Sequence, residues 1–139
     1  MNRIFITLLL LLPVMASAEA VTDKVACEQA VTTYDTEVCS RKEVVAAEIS
    51  LDKYLAAARE RYQDAEPILT ALEQAQQSWL IYRQDHCLAT YALWVGGSIR
   101  GIMMNHCLRQ QTLQRTWQVW STYLTFMDST PPLLPEPLQ

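Results

Sequence analysis

Four cysteines in a chain of 139 residues, Cys27, Cys39, Cys87 and Cys107, constrain the fold more than any other feature. They follow an opening segment with the form of an export signal: Arg3, an apolar run from Ile4 to Leu12, a break at Pro13, then the small-x-small tripeptide Ala16-Ser17-Ala18. Cleavage is expected after Ala18, so residues 1–18 are read as a signal peptide, with Ala18-Glu19-Ala20 offering a second frame. The apolar run falls short of the roughly 20 residues that span a bilayer, and no cysteine follows either cut to accept a lipid. A periplasmic location is therefore expected, where disulfides form readily.

Behind the leader the chain has the size of one domain, and its composition favours helix. Only three glycines occur, and Ala, Leu, Gln, Glu and Arg are abundant. Apolar residues at Val44, Ala47, Leu51, Tyr54, Leu55, Ala58 and Tyr62 repeat at helical spacing and predict a first helix over 43–62. Pro67 suits the first turn of a second helix running to about Trp94, with an expected inner face of Leu72, Ala75, Trp79 and Tyr82. Gly96-Gly97-Ser98 breaks that pattern. Ser98 is placed as the N-cap of a third helix that buries Met103, Cys107, Leu113, Trp117, Trp120 and Leu124 and ends near Asp128. Residues 21–40 give a weaker signal, a short helix or turn. The expected architecture is all-α, a small disulfide-stapled helical bundle over 19–128 with a long antiparallel hairpin. The tail, 129–139, contains Pro131, Pro132, Pro135 and Pro137, cannot continue as helix, and is expected to be disordered.

Four cysteines permit three pairings. Cys87 and Cys107 lie at similar distances on either side of Gly96-Gly97, so two antiparallel helices would bring them level. That favours Cys87 with Cys107 and leaves Cys27 with Cys39 as a local pair. The duplicated pairs His86-Cys87 and His106-Cys107 resemble a zinc ligand set, but neighbours on a helix point about 100° apart and converge poorly on one ion. No metal or other cofactor is expected. Paired cysteines lack the thiolate a Cys-His nucleophile needs, and no enzymatic constellation is evident.

The run Leu72-Glu73-Gln74-Ala75-Gln76-Gln77-Ser78-Trp79-Leu80-Ile81-Tyr82-Arg83, continuing through Gln84, Asp85 and His86 to Cys87, resembles the LprI-like lysozyme-inhibitor family. The match is to L-x-x-A-Q-x-x-W-x-x-Y-R-x-x-x-C, and extends to Gly97, Cys107, Thr112 and Arg115, and upstream to Cys27, Cys39, Glu43, Glu48 and Leu51. The chain departs from the family at Gln84, Glu48 and Asp52, where an acid, Asp and Asn are usual; these bear on surface recognition rather than on fold. The resemblance implies a secreted, disulfide-bonded helical inhibitor of a peptidoglycan hydrolase. Some family members resemble immunity proteins against secreted wall-degrading toxins, such as type VI effectors, and a non-inhibitory envelope accessory is a third class to separate from these.

Physically, Leu72, Trp79, Tyr82 and Cys87 read as packing residues. Arg83 reads as the internal ion-pair partner of Glu43, Glu48 or Asp52, and Arg115 as a salt bridge or a surface charge. A lysozyme-type cleft holds two carboxyl groups, so an inhibitor benefits from a protruding cation and hydroxyl donor. Trp94, Ser98 and Arg100, at the tip of the stapled hairpin, supply an aromatic, a hydroxyl and a guanidinium and form the expected partner-binding site. The plainer reading is an ordinary turn in which Ser98 only caps a helix and Trp94 packs inward. A formal net charge of −4 suits a basic partner and argues against nucleic acid or anionic membrane.

Overall fold

The computed structural model describes residues 25–138; the leader expected over 1–18 lies outside them. The described residues form an up-down-up arrangement of three helices: α1 (Thr33–Arg61), α2 (Glu66–Leu93) and α3 (Arg100–Val119), with a 3-10 turn at Cys27–Gln29 and a π turn at Trp120–Leu124 closing α3. No strand occurs among them, and no helix is long and apolar enough to cross a membrane. The expected all-α stapled bundle is the observed fold.

α1 begins ten residues before the predicted start, because Thr32 and Asp35 form a capping box. Thr32 Oγ1 accepts from the Asp35 amide and the Asp35 carboxylate accepts from the Thr32 amide, both at 3.0 Å. The Thr32 hydrogen bonds hold the Asp35 carboxyl below its ordinary pKa. The motif was visible as Thr-x-x-Asp, but polar residues around Cys39 masked the helical period. Of the predicted inner face Val44, Ala47, Leu51, Tyr54, Leu55 and Ala58 are buried, joined by Val38, whereas Tyr62 is the C-cap of α1 and only half-buried.

α3 packs against both α1 and α2. Asn105 bonds Ser40 and the Glu37 carbonyl, and Arg109 faces Glu43 one turn further along both helices, so α1 and α3 run parallel. Gly101 permits a close approach at the start of α3. A Cβ there would lie 2.5 Å from the Glu37 carboxyl group, which sits near the electropositive end of the helix. α2 runs antiparallel to both neighbours and meets α1 through Arg59–Glu73, a two-bond pair at 2.6 and 3.1 Å. Their hydrogen bonds raise the pKa of Arg59 and lower that of Glu73, each partner favouring the other's charge.

Stabilisation divides along the bundle. The main apolar cluster, Leu51, Tyr54, Leu55, Ala58, Leu72, Val119 and Leu124, occupies the end where α1 passes into α2. Both disulfides lie toward the opposite end. Cys27–Cys39 ties the 3-10 turn to α1, and Cys87–Cys107 ties α2 to α3, each with Cα atoms 5.6 Å apart. The pairing is the one expected. Closing loops of 12 and 20 residues contributes about 3 kcal/mol per bond where apolar burial is thin.

Three expectations are corrected. The inner face of α3 buries Thr112, Thr116 and Val119, while Trp117, expected inside, is exposed, because the polar threonines bond within the helix and to Arg83. α3 does not continue to Asp128: its last turn widens to a π turn, and the carbonyls of Tyr123 within that turn and of Thr125 just after it accept from Arg61 Nη1 at 2.6 and 3.1 Å. The Arg61 guanidinium also lies 4.2 Å from the Phe126 ring centroid. The proline-rich tail is seated rather than disordered. The Leu133 amide bonds the Leu124 carbonyl (2.9 Å), Trp120 Nε1 donates to the Leu134 carbonyl (2.9 Å), and Tyr54 Oη donates to the Pro135 carbonyl (2.8 Å). Leu134 packs on the apolar cluster and Pro137 is buried. Proline excludes helix from this segment, yet it also lowers the entropy lost on docking an extended strap.

Candidate functional site

The α2–α3 hairpin is held in register at successive levels. Cys87 bonds Cys107, Arg83 bonds Thr112 and Gln76 bonds Arg115, all centred near Gly97. The loop at its tip is a staircase of turns: Gly97 N bonds Trp94 O at 2.9 Å, Arg100 N bonds Gly97 O at 3.4 Å, and Met103 N bonds Ile99 O at 3.0 Å. Neither Gly96 nor Gly97 has a positive φ, and a Cβ at Gly96 would meet open space. The loop is therefore shaped by its turn hydrogen bonds rather than by glycine freedom.

Ser98 is not a cap. α3 starts at Arg100 with Ile99 at the N-cap position and no side-chain cap bond, so the Ser98 hydroxyl stays exposed and unbonded among the described residues. Trp94 is 40% exposed, and its neighbours Leu93 and Val95 are 83% and 67% exposed. Arg100 lies over the Tyr91 ring, 5.1 Å from its centroid. Trp94, Ser98 and Arg100 thus share one protruding tip, where Leu93, Val95 and Ile99 add apolar surface that residue-by-residue reading overlooked. Their signal was present: a large-residue run, Leu93-Trp94-Val95, placed against a turn where no helix face remains to bury it.

Below the tip the inner face of α2 is polar where apolar residues were expected. Leu72, Gln76, Trp79, Arg83 and Cys87 occupy successive inward positions, whereas Ala75 and Tyr82 face solvent. Tyr82 is 54% exposed and stacks on His86 at 5.4 Å, so its assignment to packing is corrected. Arg83 Nη2 pairs with Glu48 Oε1 at 2.5 Å, the internal ion pair expected, and Nη1 donates to Thr112 Oγ1 at 2.7 Å. Thr112 in turn donates to the Leu108 carbonyl, and Thr116 to that of Thr112.

Among the described residues Arg115 makes no salt bridge, and it is not a free surface charge. Its Nε donates to Oε1 of buried Gln76 at 3.0 Å, while Nη2 is buried with no partner among the described residues. Burial lowers its pKa, opposed by Tyr123. The Trp79 ring lies near both cations, 5.2 Å from Arg83 and 6.0 Å from Arg115. All four cysteines are oxidised, and the described residues contain no group of three His, Cys, Asp or Glu side chains placed to hold a metal ion.

These features define a disulfide-stapled three-helix domain that presents a braced, partly apolar hairpin tip. The chain belongs to the LprI lysozyme-inhibitor family, whose model, described as lysozyme inhibitor LprI, matches residues 26–118. An uncharacterised protein of Rhizobium meliloti (strain 1021) is 31% identical over 118 residues, covering 77% of this chain and 85% of that relative. No solved structure gives a significant match. The π turn and tail strap lie beyond the family match.

Proposed function

We propose that this chain is an exported periplasmic inhibitor of a lysozyme-type peptidoglycan hydrolase, acting by inserting the α2–α3 tip into the enzyme's cleft. Family membership supports the target class. The observation that carries the mode of action is the tip itself: exposed Leu93, Trp94 and Val95 beside an unbonded Ser98 hydroxyl and Arg100, braced by Cys87–Cys107. Trp94 and its apolar neighbours fill the sugar-binding groove, and Arg100 meets the catalytic carboxylates, whose charge a water-excluded contact makes strongly attractive. The acidic body steers the inhibitor toward a basic enzyme.

Inhibition constants for the purified protein against lysozyme-type enzymes test this reading. Trp94→Ala and Arg100→Ala are each expected to weaken inhibition by about tenfold or more, at about 1.4 kcal/mol per decade, with helical CD unchanged. Full inhibition by both variants would refute the tip assignment. Selective action on a hydrolase encoded beside this protein would identify a toxin-immunity role, and absence of binding to any hydrolase would identify an envelope accessory.

A further inference from the structure

The guanidinium of Arg115 has one hydrogen bond among the described residues, from Nε to Gln76, and a buried Nη2 with none. This is anomalous within the molecule, since Arg83 is held by Glu48 and Thr112, Arg59 by Glu73 and Arg61 by two carbonyls. Buried Nη2 is closed to solvent and to a ligand alike, but the guanidinium as a whole is a cation with no counter-ion among the described residues, and a ligand carboxylate meeting its accessible edge supplies that charge.

Arg115 also lines a cavity of about 230 Å³ together with Trp79, Tyr82, Gln111, Gln114 and Gln118. The volume lies below the roughly 300–1,000 Å³ of sites for drug-sized ligands and suits one ring-sized unit. Each glutamine carries an amide that both donates and accepts, the pairing an acetamido group and ring hydroxyls require. Tyr82, exposed although one face of its ring is stacked on His86, lines the edge of the cavity. The cavity lies about 20 Å along α3 from the hairpin tip, given 1.5 Å of rise per residue, so it stands apart from the surface assigned to hydrolase binding.

We propose that this cavity is a binding site for an N-acetylated amino sugar bearing a carboxylate, its carboxylate on Arg115 and its acetamido group among Gln111, Gln114 and Gln118. The carboxylate supplies the negative charge that the described residues leave out, and the three amides select a sugar over a simple acid. The inference does not depend on hydrolase inhibition.

Titration of the purified protein by NMR, following the tryptophan indole N–H signals, tests the site with three probes. N-acetylmuramic acid is expected to shift the Trp79 indole signal and leave that of Trp94 in place. N-acetylglucosamine, which lacks the carboxylate, and lactate, which lacks the ring, are expected to bind about tenfold more weakly or worse. Arg115→Gln removes the charge. Because that position is partly buried, Gln114→Ala and Gln118→Ala, at exposed positions, provide variants that leave the fold intact and are expected to weaken binding several-fold. No saturable shift up to roughly 10 mM N-acetylmuramic acid, equal binding of N-acetylglucosamine or lactate, or unchanged affinity in both glutamine variants would overturn the assignment.

Discussion

Removing Glu48 should destabilise this protein more than removing Arg83, although the two form one ion pair. The Arg83 side chain is 12% exposed and that of Glu48 is 40% exposed. In Glu48→Ala the guanidinium keeps Thr112 but loses its counter-ion in a place water reaches poorly, at a cost of about 2–3 kcal/mol. Arg83→Met removes the charge along with its bonds. Glu48 then re-solvates, Thr112 still donates to the Leu108 carbonyl, and the methionine retains contact with Trp79, so about 1–2 kcal/mol is expected. The double variant should be less destabilised than the two singles combined, with a coupling of about 1–2 kcal/mol. Urea unfolding followed by far-UV CD, with the disulfides intact, measures all four species, and about 4 °C of melting temperature accompanies each kcal/mol. Additivity within about 0.5 kcal/mol, or a larger loss in Arg83→Met than in Glu48→Ala, would refute the view of Arg83 as a buried cation held by Glu48.

Deleting residues 129–139 should lower stability by about 1–3 kcal/mol, because it strips the acceptors from Tyr54 and Trp120 and uncovers the cluster beneath Leu134; an unchanged melting temperature would mean the strap is not seated. Replacing Cys87 and Cys107 together with alanine should cost about 3 kcal/mol and weaken inhibition, both read from the same preparation by melting and enzyme assay. The pKa values of Asp35, Glu73 and Asp128 are all lowered by hydrogen bonds to their ionised forms. Their contribution is present above the unfolded-state values, 3.8 for Asp and 4.5 for Glu, and disappears as pH falls through the lower folded values. Melting temperature should therefore drop on acidification below about pH 4, and Asp35→Asn should flatten part of that slope; a melting curve independent of pH in this range would contradict the capping-box and ion-pair assignments.

Local chemistry alone determined the helical class, the inner face of α1, the entry of α2 at Pro67 and the cysteine pairing. Apolar periodicity, proline's fixed φ and the symmetric placement of Cys87 and Cys107 about a turn each act over a few residues or depend only on hairpin register. The choice of which face of α2 turns inward was a tertiary matter. An apolar criterion selects Ala75 and Tyr82, yet Gln76 and Arg83 lie inside because Arg115, Thr112 and Glu48, distant in sequence, satisfy their polar groups. The same holds for Ser98, whose capping propensity is not used because the turn at Gly97 carries the chain past it before α3 begins. It holds also for the tail, whose prolines exclude a helix but cannot indicate that Leu134 packs on the apolar cluster and Pro137 is buried beside α1 and α3. Sequence patterns register how residues prefer water or helix; only the assembled bundle decides which polar groups meet partners and which, like Arg115 Nη2, are left without one.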